Sequence, residues 1–128
     1  EMNLVDLKKS SGDLNDIEYV AHYYLLSAAE LDFKLIGESI PRILSHLSTQ
    51  SKQKKVLNEL ADNYIFIKNL EIFNQLAFSS SSSKLSTEEN KFEKLGRLME
   101  LESGASLKKK LDSVLQFNRE SYSAIIRK

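Results

Sequence analysis

Along the chain, Leu14, Ile17, Ala21, Tyr24, Ala28, Leu31 and Leu35 recur in alternating steps of three and four. That is a heptad seam and predicts a long helix over about 14–36. Asp13 stands at its start as the expected N-cap and Gly37 at its end as the expected stop. A second apolar stripe runs along the same segment through Tyr19, Tyr23, Leu26 and Phe33. It is offset by two residues from the first, about 200° around a helix of 3.6 residues per turn. A helix that is apolar on two opposed faces is either central in its bundle or lends one face to a partner.

Ile40, Ile43, Leu44 and Leu47 predict a short second helix, with Pro41 tolerated in its first turn. A third helix is expected over about 52–78. Leu57, Leu60, Tyr64, Ile67 and Phe78 line one face, and Phe66, Leu70, Phe73 and Ala77 the opposite one. Only a narrow line through Lys68, Glu71 and Gln75 looks suited to water. The Tyr64–Ile67 run has strand propensity, but the helical period continues through it, so helix is preferred.

Five serines, 79–83, begin a stretch that reads as a flexible Ser-rich loop over 79–86. Ser86-Thr87-Glu88-Glu89 has the form of a capping box. Phe92, Leu95, Leu98 and Met99 then mark a helix that stops near Ser103-Gly104. Ser106 can cap a last helix carrying Leu107, Leu111, Val114, Leu115, Tyr122, Ile125 and Ile126 on its core side. The reading is all-α: an antiparallel bundle of four to five helices over 13–128, preceded by an N-terminal arm at 1–12. The two long helices, 14–36 and 52–78, have two apolar faces each.

Composition narrows what such a bundle does. With 128 residues the chain is long enough to bury a core as one domain. It lacks cysteine, which removes disulfides, thiolate metal sites and Cys nucleophiles, and weakly favours an intracellular, cytoplasmic setting. The open ends of the chain suggest a piece of a larger protein. No apolar run approaches the length of a membrane span. Eighteen basic and eighteen acidic residues cancel, so nucleic-acid binding is disfavoured. The charge is uneven, however. Residues 1–36 balance to −4 (seven acids, three bases) and residues 79–128 to +3 (seven acids, ten bases), so the first and last helices could lie side by side.

Candidate chemistry is sparse. His22 follows Glu18, and His46 follows Arg42, by four residues, and neither stands at metal-ligand spacing. Three residues between Arg42 and His46 are too few for the Arg–His pair of helical nucleases. No phosphate-binding glycine loop or nucleophile elbow occurs. The expectation is a non-enzymatic chain without cofactor or metal: a helical interaction or oligomerisation module, with Tyr19, Tyr23, Leu26 and Phe33 meeting a protein partner or a second copy. The alternative is a membrane-associated module of the crescent, BAR-like kind. It would set two lysine clusters, Lys52, Lys54, Lys55 and Lys108, Lys109, Lys110, on anionic lipid.

Overall fold

A computed structural model describes residues 4–8, 12–27, 38–48, 54–78, 84–86 and 88–126. The elements in order are β1 (Leu4–Asp6), α1 (Leu14–Ser27), α2 (Ile40–Ser48), α3 (Lys54–Ala77), β2 (Lys84–Ser86), α4 (Glu89–Leu98) and α5 (Gly104–Ile126). The architecture is an all-α bundle with one short antiparallel ribbon, in which Leu4 pairs with Ser86, Val5 with Leu85 and Asp6 with Lys84. Asn63 of α3 meets Asn118 of α5, whereas Phe66 meets Lys110. Helices α3 and α5 therefore run antiparallel. Helix α1 packs on α2, α3 and α5, and α4 folds back on α5.

The first heptad seam points inward as its period requires. Leu14, Ile17 and Ala21 are buried and Tyr24 is half-buried. Its continuation through Ala28, Leu31 and Leu35, with Gly37 as the stop, lies outside the described residues. In α2, Ile43, Leu44 and Leu47 are buried against α3. Leu57, Leu60, Ala61, Tyr64, Ile67 and Leu70 of α3 meet Leu107, Leu111, Val114 and Leu115 of α5 in one continuous core.

Three expectations change. Part of the N-terminal arm and of the Ser-rich loop pair with each other: Leu4–Asp6 and Lys84–Ser86 form the ribbon, and Leu7 and Leu85 are fully buried beside it. Two short segments without a helical period gain backbone hydrogen bonds and two core leucines by meeting, a partnership no local pattern records. The Ser86 capping box does not form. Helix α4 begins at Glu89, Glu88 holds the N-cap position without a side-chain cap, and Ser86 Oγ accepts the Glu88 N–H at 3.3 Å instead. The last helix starts two residues before Ser106. Ser103 Oγ accepts the Ser106 N–H at 3.2 Å, and Glu93 of α4 accepts the Gly104 N–H at 3.1 Å. These bonds satisfy amides that a helix start leaves open. Gly104 opens α5 because a Cβ there would lie 2.7 Å from the Glu93 backbone nitrogen.

Helix α3 shows the largest difference. The line expected to face water does not. Glu71 is only 5% exposed, and Lys68 and Gln75 are half-buried. Ile65 (47%), Ile72 (48%) and Leu76 (74%) face outward instead. A helix apolar around most of its circumference can be turned several ways. Polar partners on neighbouring elements help decide which way. Asn63 donates to Asn118 Oδ1 at 2.9 Å, and Asn74 donates to the Lys84 carbonyl at 3.2 Å. Placing those amides inside turns the isoleucines out.

Candidate interaction surface

The second stripe of α1 is set by the first. With Ile17, Val20 and Ala21 buried, residues four apart on the other side, Tyr19 and Tyr23, must point away from the core. Tyr19 is 58% and Tyr23 43% exposed. Tyr19 stacks edge-on against Tyr122 of α5, with ring centroids 6.0 Å apart and planes at 65°. Tyr23 meets Tyr24 at 5.7 Å and 80°. Both are the edge-to-face arrangement that the ring quadrupoles favour.

Beside these rings runs a groove of about 480 Å³ between α1, α5 and the start of α3. Tyr23, Tyr24, Val56, Phe117, Ala124 and Ile125 line it with apolar groups, and Glu120 and Ser121 with polar ones. Burial raises the Tyr24 hydroxyl above its ordinary range, and neighbouring Tyr23 adds to the rise. Tyr24 therefore stays a neutral donor there.

A buried polar contact anchors the α1 platform. Tyr64 of α3 donates its hydroxyl to Glu18 Oε2 at 3.0 Å. Burial pushes this phenol well above its ordinary range, followed by the Glu18 charge, the hydrogen bond to it, and Glu71. Glu18 directly precedes Tyr19, so this bond fixes α1 against α3 at the turn that displays the ring.

The side chain of Leu26 and the whole of Phe33 lie outside the described residues, as does Lys52. The remaining lysines do not share one patch. Lys54 and Lys55 are exposed at the start of α3, and Lys108, Lys109 and Lys110 on the first turns of α5. The antiparallel packing sends these to different places. Lys110 Nζ lies 5.0 Å from the centroid of the Phe66 ring, which is eleven residues, or about 16 Å, along α3 from Lys55. Lys110 is thus engaged in a cation–π contact.

The groove and the outward stripe of α3 were both missed by pattern reading. Val56, Phe117 and Ala124 come from two helices far apart in sequence, and no spacing links them. Among the described residues, no group of three or more His, Asp or Glu side chains could hold a metal ion, and no helix is long and apolar enough to cross a membrane. No protein family, no curated protein and no solved structure matches the chain.

Proposed function

We propose that this chain is a non-catalytic helical interaction module that docks an amphipathic helix of a protein partner on the tyrosine face of α1 and the groove beside it. The observation that carries the reading is the outward display of Tyr19 and Tyr23, 58% and 43% exposed, on a helix whose Leu14, Ile17, Val20 and Ala21 are buried. Tyrosine offers a large contact area, two side-chain torsions to immobilise and a hydroxyl for the rim, which is why it is frequent among energetic anchors of interfaces. The adjoining groove is lined mostly by apolar side chains, with Glu120 and Ser121 as its polar members, a composition that suits an amphipathic helix. The membrane reading draws less support, because Lys110, one of its proposed lipid contacts, is engaged over the Phe66 ring, about 16 Å along α3 from Lys55.

The test is selection of helical peptides from a displayed library against the whole chain. Binders are expected to lose at least tenfold in affinity on Tyr23→Asp and on Tyr19→Asp, with the circular dichroism of the two variants unchanged. Binders indifferent to both substitutions would remove the tyrosine face as the docking site. Unfolding of the Tyr23→Asp chain would make Tyr23 part of the core, and the assignment would fail.

A further inference from the structure

Three rings and one carboxylate share the groove beside α1. Tyr23 and Tyr24 stand with ring centroids 5.7 Å apart and planes at 80°, so they form two adjoining sides of one space. Phe117 of α5 adds a third ring to the lining. Phe117, Glu120 and Ala124 follow in steps of three and four, and all three line the groove. Residues so spaced on a helix have Cβ atoms about 5–6 Å apart, which puts Glu120 one turn from the Phe117 ring. Among the described lining residues Glu120 is the one that carries a charge, and Tyr24 keeps its proton.

These groups together favour a cation. The face of an aromatic ring attracts a positive group within about 6 Å of its centroid, more strongly where water is displaced. A wholly apolar occupant would fit the rings but cover Glu120 without pairing it, and burying an unpaired charge is costly. An anionic occupant would be repelled.

We infer that the groove receives the ammonium group of a lysine on the docked helix, among the rings of Tyr23, Tyr24 and Phe117 and against Glu120. On the helix-docking reading, on which this rests, lysine is the residue that the helix must present. Glu120 is exposed, and Gln116 Nε2 donates to its Oε1 at 3.2 Å, which leaves Oε2 for the partner. A compact ammonium needs one such acceptor, whereas the planar fork of arginine is matched by two. The methylene stem of lysine packs along the rings. The chain's own cations do not take this place. Arg119 Nη2 donates to Gln116 Oε1 at 3.1 Å. Lys54 and Lys55 stand exposed before Val56 and do not line the groove, so salt screens them more than it screens a contact pair.

The experiment has two arms, both on the full chain. In the first, helical peptides selected on the chain are sequenced and remeasured. They are expected to share a lysine at one register position, and methionine in its place should weaken binding about tenfold. Glu120→Gln lies at an exposed position and keeps an acceptor for Gln116. It should weaken the lysine peptide about fivefold and the methionine peptide less than about twofold. In the second arm no peptide is present. Choline and its uncharged isostere, with carbon in place of nitrogen, are titrated by nuclear magnetic resonance. Choline should shift the Tyr23 and Tyr24 ring protons at about fivefold lower concentration than the isostere, and Phe117→Leu should reduce that preference. Binders that need Tyr23 but share no lysine, or that tolerate methionine in its place, would overturn the inference and leave helix docking standing. Equal binding of choline and its isostere would overturn it as well. Binders indifferent to both Tyr19 and Tyr23 would remove the docking face, and the inference with it.

Discussion

The Asn118 amide donates to the Gly12 carbonyl at 2.7 Å, joining residues 106 apart in sequence. The same Asn118 accepts from Asn63 at 2.9 Å, and the Gly12 N–H donates to Asp16 Oδ2 at 2.7 Å. One buried chain of hydrogen bonds thus ties the entry of α1 to α3 and α5. Gly12 is required at its end of the chain. Its φ is +86°, and a Cβ there would run into the Leu115 carbonyl oxygen.

Removing the link leaves a buried carbonyl and a buried amide without partners. Asn118→Leu is expected to lower unfolding stability by about 2–3 kcal/mol, read as a lower urea midpoint with unchanged m-value. Gly12→Ala should cost at least as much, because it adds a left-handed backbone penalty to the clash.

Tyr64 gives stability a dependence on alkaline pH. Its phenol is raised in the folded chain, first by burial and then by Glu18. In the unfolded chain it titrates near its ordinary value of 10.0. The unfolded state therefore releases its proton first, and the contribution present below pH 10 is lost as pH rises beyond it. Urea midpoints should fall more steeply above pH 10 for the wild type than for Tyr64→Phe. At neutral pH, Tyr64→Phe should cost about 1 kcal/mol through the lost bond to Glu18.

Glu71 and Leu76 exchange the roles their chemistry suggests. Glu71 is buried, with one oxygen 3.5 Å from Lys68 Nζ and the other without a hydrogen-bond partner among the described residues, while Leu76 faces water. A buried, incompletely paired charge is costly, so Glu71→Leu is expected to raise stability by about 1 kcal/mol. Leu76→Glu should change the stability of the monomer by less than about 0.5 kcal/mol. Thermal unfolding at dilute concentration measures both.

The α4–α5 crossing rests on two glycines. A Cβ at Gly96 would lie 2.6 Å from the Ser103 carbonyl oxygen, and one at Gly104 would lie 2.7 Å from the Glu93 nitrogen. Alanine normally stabilises a helix by about 1 kcal/mol over glycine. Here Gly104→Ala should destabilise by about 1–3 kcal/mol, because the new atom meets backbone and not a flexible side-chain end. Chemical denaturation decides the sign.

What the sequence determined by itself was periodicity. The three-four repeat from Leu14 through Tyr24 and the strict stripe Ile40–Leu47 each define one buried face, so those helices and their core sides were legible. The period alone left the second stripe open, since a helix apolar on two opposed faces fits the centre of a bundle as well as its surface, and the exposure of Tyr19 and Tyr23 was decided by the packing. Helix α3 carries apolar side chains nearly all round, so its period specifies a helix but not an orientation. Only the tertiary structure decided that Asn63, Glu71 and Asn74 turn in and Ile65, Ile72 and Leu76 turn out, because partners such as Asn118 and the Lys84 carbonyl lie on elements distant in sequence. The same holds for the Leu4–Asp6 ribbon with Lys84–Ser86, for Ser103 in place of Ser106 as the cap of α5, and for the groove walled by Tyr24, Val56 and Phe117. Local periodicity acts over neighbouring turns of one helix. Hydrogen-bond satisfaction and close approach are settled between segments, and they exist only once the chain has folded.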